Sequence, residues 1–250
     1  MKSIADRILE ISYKNGLSHI GSCLTALPII EEIFKLKKQD EKFVLSCGHA
    51  ALALYCVLEA YGGKNAEEIF KHHGVHPDFC RDCGLDCSTG SLGNGLPIAV
   101  GMALADRSKI CYAIISDGEC SEGSIWESLR IAEEQGLNNL KVYLNFNSWG
   151  AYKFIDTDYI FNQIEVHNSF SKCKVNIRVQ KELRIPWLLE QEAHYKVLDE
   201  KEYKKCLEIL KGDSLEEKKH QNILKNASVS DVLKKHGIKG KNGIKRLKKK

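Results

Sequence analysis

The stretch KICYAIISDGECSEGSIWESLRIAEEQGLNNLKVYLNFN, Lys109 to Asn147, reads as strand, helix, strand. Cys111 to Ile115 are apolar without alternation, and Val142 to Leu144 repeat the pattern. Such continuous runs fit strands covered on both faces, as in a parallel sheet. Between them, EGSIWESLRIAEEQG places apolar residues at helical spacing and stops at Gly136. The unit predicts an α/β fold, a doubly wound parallel sheet with helices on both faces. The strands run into Asp117 and Asn147. Ligands of open parallel sheets sit beyond the carboxyl ends of the strands, and neighbouring strands would bring both side chains to one rim. A carboxylate with an amide oxygen suits magnesium, which usually keeps phosphate oxygens as further ligands. Gly118 lets the backbone approach a phosphate, and the helix behind it offers free N–H groups. Taken alone, the acid-glycine pair reads better as an Asx-type turn.

Outward from this unit, IADRILEISY predicts an N-terminal helix, and a second helix begins with Pro28 in its first turn and runs through IIEEIFKL. FVLS (Phe43–Ser46) reads as a short buried strand, and HAALALYCVLEAYGG as a helix stopped by Gly62 and Gly63. Residues 64–88 read as loop-rich. GNGLPIAVGMALADRS lines small residues (Gly95, Ala99, Gly101, Ala103, Ala105) along a helix that another backbone can approach closely. KVNIRV (Lys174–Val179) reads as a further strand after a short irregular link, and EKEYKKCLEIL as a late helix. The expected organisation is one domain over residues 1–210, followed by a charged helical segment and basic, flexible tail over 211–250.

Several of these segments, taken together, resemble the thiamine-diphosphate-binding domain of transketolase. SDGECSEGSIWE followed by NFNSWG resembles the family's GDG motif with its Asn about thirty residues later, with Ser116 at the first glycine. FVLSCGHAALALY resembles FVLSKGHAAPALY, with Cys47 in place of the lysine. GLSHIGS, VHPD, STGSLGNGLPIAVGMALA and AHYK match further family segments in the same order. The resemblance implies the thiamine-diphosphate-binding fold, with magnesium held by Asp117, Asn147 and the backbone carbonyl of Trp149. It implies cofactor contacts from His49, Gly90, Leu92, Gly118 and Asn147, and active-site roles for His19, His76 and His194. Imidazoles titrate near neutrality and can exchange protons at the hydroxyl and carbonyl oxygens of a ketol transfer.

The family's complete chains also carry a pyrimidine-binding domain, and no such domain is read in this sequence. The resemblance therefore implies a partner, the C-terminal subunit, in a heterotetramer that transfers a two-carbon ketol unit between sugar phosphates. The alternatives are a non-catalytic scaffold of the same fold, or another thiamine-diphosphate enzyme of sugar-tailoring or deoxyxylulose-phosphate synthase type.

The 250 residues suffice for such a domain, and 43% hydrophobic with 28% charged residues is ordinary for a soluble chain. MKSIADRILEIS carries Asp6 and Glu10 where a signal peptide needs an apolar core. With no long apolar run, the reading is cytoplasmic, with no membrane contact. The net charge of +4 is misleading, because 9 of the 37 basic residues fall after Leu233, where there is no acid. The rest is mildly acidic, so no nucleic-acid partner is expected. The ten cysteines are expected as reduced thiols. Cys80, Cys83 and Cys87, with His72 and His76 upstream, have the types and spacing of a structural zinc site, though a single C-x2-C knuckle is a weak signal.

Overall fold

A short, fully apolar strand can persist only where both of its faces are covered, and β2 (Cys111–Ser116) is buried at every position. The computed structural model describes residues 2–148, 150, 155–179, 185–188 and 194–220. Four parallel strands lie in chain order: β1 (Lys42–Leu45), β2, β3 (Leu140–Phe146) and β4 (Val175–Val179). Side chains of β2 alternate between two apolar layers, with Tyr112 and Ile114 in one and Cys111, Ala113 and Ile115 in the other. Each fully buried Ile contributes roughly 1.5–3 kcal/mol.

The first layer is covered by α1 (Ile4–Asn15), α2 (Ile20–Leu36) and α3 (Ala51–Gly62). The second is covered by α5 (Gly95–Ala105), α6 (Gly123–Glu134) and α7 (Thr157–Phe170). Helices on both faces of a parallel sheet were the expectation, and the chain meets it. The last described helix, α8 (Glu200–His220), returns to α1, where Tyr203 stacks on Tyr13 with ring centroids 4.6 Å apart. The Arg178 guanidinium on β4 donates to both carboxylate oxygens of Glu32 on α2, at 2.6 and 2.9 Å, and so ties the edge strand to the first layer.

Two expectations need correction. Pro28 lies inside α2 rather than in its first turn, because the helix already starts at Ile20, directly after a left-handed His19. A mid-helix proline costs about 3 kcal/mol. Burial of Leu24, Leu27, Ile29, Ile30 and Ile33 on the same helix offsets that cost. The link before β4 is not irregular: it contains α7, capped by Asp156. The loop-rich residues 64–88 also hold one helix that the sequence pattern did not single out, α4 (Ala66–His73). Its start is capped by the Asn65 side chain, which accepts from the N–H groups of Glu67 and Glu68. Both missed helices begin at a capping residue that was readable in the sequence. In the segment expected as a charged helix and basic tail, residues 211–220 continue α8, and 221–250 lie outside the described residues. Among the described residues no helix is long and apolar enough to cross a membrane.

α5 packs against the end of β1 so closely that a Cβ on Gly95 would meet Ser46 Cα at 2.5 Å, whereas a Cβ on Gly101 would meet nothing within 4 Å. Gly95→Ala is therefore expected to destabilise the chain by about 1–3 kcal/mol. Gly101→Ala should stabilise it by roughly 0.5–1 kcal/mol through helix propensity. Urea unfolding of the two variants checks the pair, and equal effects would contradict the packing described.

Candidate active site

The carboxyl ends of β1, β2 and β3 open onto a cavity of about 260 Å³. Asp117 lies beneath it, fully buried, one residue beyond β2. Its Oδ1 accepts the Gly118 N–H at 2.9 Å. Its Oδ2 accepts the N–H groups of Asn147 at 2.8 Å and Ser148 at 2.5 Å, at the end of β3. The carboxylate therefore joins two strand ends, and no ion pair to it occurs among the described residues. Burial pushes its pKa up to about 7, against the opposing pull of the three amides and its own. Ser148 reaches its position with φ of 73°, and His19 has φ of 61°. These are the two described non-glycine residues in left-handed conformation, and both lie at this site. Strain of this kind collects at functional positions.

Four histidines meet at the cavity from four parts of the chain: His19, His49, His76 and His194. His19 caps the start of α2, and His49 sits in the 3-10 turn after β1 (Gly48–Ala50). His194 is held to His19 through the backbone, its carbonyl accepting the His19 N–H at 3.0 Å. Ring centroids are 4.4 Å apart for His19 and His194, and 5.5 Å for His49 with each of them. Desolvation, then the neighbouring imidazoles, lowers His19 to about 4 and His49 to about 3. Desolvation also lowers His194. His19 Nδ1 has no hydrogen-bond partner among the described residues, and neither does Asn145 Oδ1, on another lining residue.

His76 packs against Gly90, where a Cβ would sit 2.9 Å from the imidazole, and Gly90 has φ of +147°, which favours glycine. Leu92, Gly118 and Asn147 also line the cavity. The structure thus gathers every described residue expected at the site, with Asp117 under the floor. Trp149 lies outside the described residues. One local expectation changes: a 3-10 turn over Gly118–Ser121 separates Gly118 from α6, so the helix N-terminus does not begin at the glycine.

The sequence reading left Glu119 without a role, and the structure supplies one. Its carboxylate is completely buried. Oε1 accepts Ser46 Oγ at 2.5 Å and the Gly93 N–H at 3.0 Å, and Oε2 accepts the Ser116 N–H at 3.0 Å. One side chain therefore fastens the ends of β1 and β2 and the loop carrying Gly90 and Leu92. Burial raises its pKa despite these donors. The only signal in the sequence was a second acid in a turn of otherwise small residues.

The cysteines differ from expectation in two ways. Eight are free, while Cys80 and Cys83 are bonded to each other, because the C-x2-C turn brings their sulfurs together. Cys87 packs on the second layer and the other two on the first, so the expected three-cysteine cluster does not form. The histidine beside the pair is His73, rather than His72 or His76.

Residues 10–150 match the family model described as "Transketolase, thiamine diphosphate binding domain". A transketolase from Pongo abelii is 33% identical over 60% of this chain and 28% of its own length. The 6-deoxy-6-sulfo-D-fructose transketolase subunit of Clostridium sp. (strain MSTE9) is 35% identical over 56% of this chain and 58% of its own length. An apulose-4-phosphate transketolase subunit from Phocaeicola vulgatus is 33% identical, over 56% and 57% respectively. The match thus spans less than two thirds of each relative. Among solved structures, a transketolase from Leishmania mexicana superposes with a TM-score of 0.55 at 18% identity, covering 89% of this chain and 46% of that one. That likeness is one of fold.

The depressed histidines fix the sign of an acid effect. An unfolded histidine titrates near 6.5. The stability that neutral His19 and His49 contribute is full above that pH. It is lost as pH falls toward about 4 for His19 and about 3 for His49. From pH 7 to 4 these histidines lower the unfolding free energy while buried Asp117 opposes them, so His49→Gln should lose less stability than wild type over that range. An equal measured loss in the variant would contradict the burial assigned to His49.

Proposed function

This chain belongs to the transketolase family of thiamine diphosphate binding domains. From that premise we propose that it is the magnesium- and thiamine-diphosphate-binding subunit of a two-chain enzyme transferring a two-carbon ketol unit between sugar phosphates. The observation that carries the reading is the convergence of four histidines, Gly90, Leu92, Gly118 and Asn147 around one cavity over a buried Asp117 that has no cationic partner among the described residues.

The donor set fits magnesium. Asp117 is a buried carboxylate lacking a cationic partner among the described residues, and Asn147 adds an amide to the same rim. A hard divalent ion takes oxygen donors of this kind and completes its shell with phosphate oxygens and water. Asp117 and Asn147 would hold the ion, with Trp149 as the remaining ligand the family resemblance implies. Gly118, Gly90 and Leu92 would border the cofactor, and His49 would face its diphosphate. When bound, thiamine diphosphate supplies the thiazolium that stabilises the carbanion left by carbon–carbon cleavage.

The chain's own part is proton handling and positioning. With pKa values depressed to about 4 and 3, His19 and His49 are neutral at pH 7 and can both accept and donate. His19 offers Nδ1, which has no partner among the described residues, to a substrate hydroxyl. His76 and His194 line the same cavity. The partial desolvation of His19, His49 and His194 strengthens each hydrogen bond they form there.

The two relatives named as subunits support a second chain, and the cavity is in keeping with one. At about 260 Å³ it falls below the roughly 300–1,000 Å³ of small-molecule sites. The missing wall would come from a C-terminal subunit bearing the pyrimidine-binding domain, in a heterotetramer working in the cytoplasm.

The test mixes such a subunit with this chain and measures two-carbon transfer between sugar phosphates, beside the thermal shift given by magnesium and thiamine diphosphate. Wild type should show both signals. Asp117→Ala should lose the shift and fall roughly 100-fold or more in rate. Activity and shift that survive Asp117→Ala would overturn the site assignment. Absence of both in wild type would favour a non-catalytic scaffold.

A further inference from the structure

Beside the cavity, the chain from α4 to Gly90 holds a second group of donors. His73 ends α4, and Cys80 and Cys83 follow in a tight turn. One donor atom from each lies within 4.8 Å of the other two, and His73 Nε2 is 3.2 Å from Cys83 Sγ. The turn closes as a small antiparallel bridge. The Cys80 N–H donates to the Leu85 carbonyl at 3.0 Å, and the Leu85 N–H donates back at 2.9 Å. Gly84 turns the chain with φ of +82°, and Leu85 anchors the bridge in the core.

Within this turn the Cys83 N–H donates to Cys80 Sγ at 3.2 Å. A thiol or disulfide sulfur is a weak acceptor, whereas a thiolate makes a charge-assisted bond, roughly twice as strong as a neutral one. The backbone is therefore arranged for a charged sulfur. A disulfide accounts for the closeness of Cys80 and Cys83, but it gives no reason for the His73 imidazole nitrogen against Cys83 Sγ. Two thiolates and an imidazole are a donor set for zinc in tetrahedral coordination.

We propose that reduced Cys80 and Cys83, with His73, form a zinc site that braces the loop carrying His76 and Gly90 to the active-site cavity. Solvent completes the fourth position, as all three residues are partly exposed. Other bonds fasten the same loop, among them Thr89 N–H to the Pro77 carbonyl at 3.1 Å, Thr89 Oγ1 to the Leu45 carbonyl at 2.7 Å, and the Phe43 N–H to the Asp86 carboxylate at 3.0 Å. The bonded pair in the structure is the metal-free oxidised form. A dithiol reductant opens it, leaving as its own cyclic disulfide and yielding two thiols. Zinc then displaces both thiol protons to solvent.

The experiment uses the full chain, reduced with a dithiol, stripped of metal and reductant under argon, then titrated with zinc and separately with cobalt. Expected are stoichiometric zinc uptake and a sulfur-to-cobalt charge-transfer band. His73→Ala and Cys83→Ser should weaken binding by more than the roughly 10–100-fold that loss of an outer supporting hydrogen bond costs a metal site. Cys87→Ser should leave it unchanged. Zinc should also slow hydrogen exchange across residues 76–90. No uptake by the reduced wild type, or no charge-transfer band, overturns the proposal even if the variants fail to fold. Uptake unchanged in a Cys80→Ser, Cys83→Ser double variant, or lost in Cys87→Ser, overturns it as well. None of these readouts depends on catalysis, so the outcome is independent of the proposed transferase activity.

Discussion

The site depends on a fully buried carboxylate held by backbone amides from two neighbouring strands. Asp117 accepts from Gly118 after β2 and from Asn147 and Ser148 after β3. The amides stabilise the ionised form, but desolvation outweighs them and leaves the pKa near 7. A bound cation would reverse that balance, since an opposite charge at contact favours the carboxylate. Ser148 takes an unfavourable backbone conformation to bring its amide to Asp117. The geometry thus stores a modest cost that a ligand can recover.

Around this point the parallel register does most of the positioning. Ser116 stands opposite Asn145, so the residues after β2 and β3 emerge side by side. Glu119 adds the end of β1 and the loop before α5 to the same assembly. Each of its donors would cost roughly 1–3 kcal/mol if left buried without an acceptor. The cavity floor is thereby rigid, and the histidines are brought to its walls by separate elements.

Much of this was legible in the sequence. Continuous apolar strands separated by an amphipathic helix gave the parallel sheet, because a side chain has nowhere polar to point when both faces are covered. The residues expected at the cavity carry motif-level signals, and every described one is found there. Other features depend on partners distant in sequence and left no local trace. The left-handed turns at His19 and Ser148 occur at residues with no intrinsic preference strong enough to announce them. Glu119 reads as an ordinary turn acid until Ser46 and Gly93 are seen to converge on it. Cys87 follows Cys80 and Cys83 closely in sequence, but the loop sends it to the opposite layer. α4 and α7 show the reverse case, since their capping residues Asn65 and Asp156 were visible but lay in segments read as loop-rich or as irregular link.

The most direct measurement is the titration of the Asp117 carboxyl, followed by carbon NMR with Asp117→Asn identifying its signal. In the folded, ligand-free chain the midpoint should lie near 7 rather than near the ordinary 3.8. For this group alone, stability is then full below about 3.8 and is lost as pH rises through 7. Adding magnesium with thiamine diphosphate should move the midpoint down by more than a unit, since a divalent cation at the carboxylate favours its ionised form. A midpoint near 4 without ligand, or one near 7 that the ligands leave in place, would contradict the assignment of Asp117 as the residue around which this site is built.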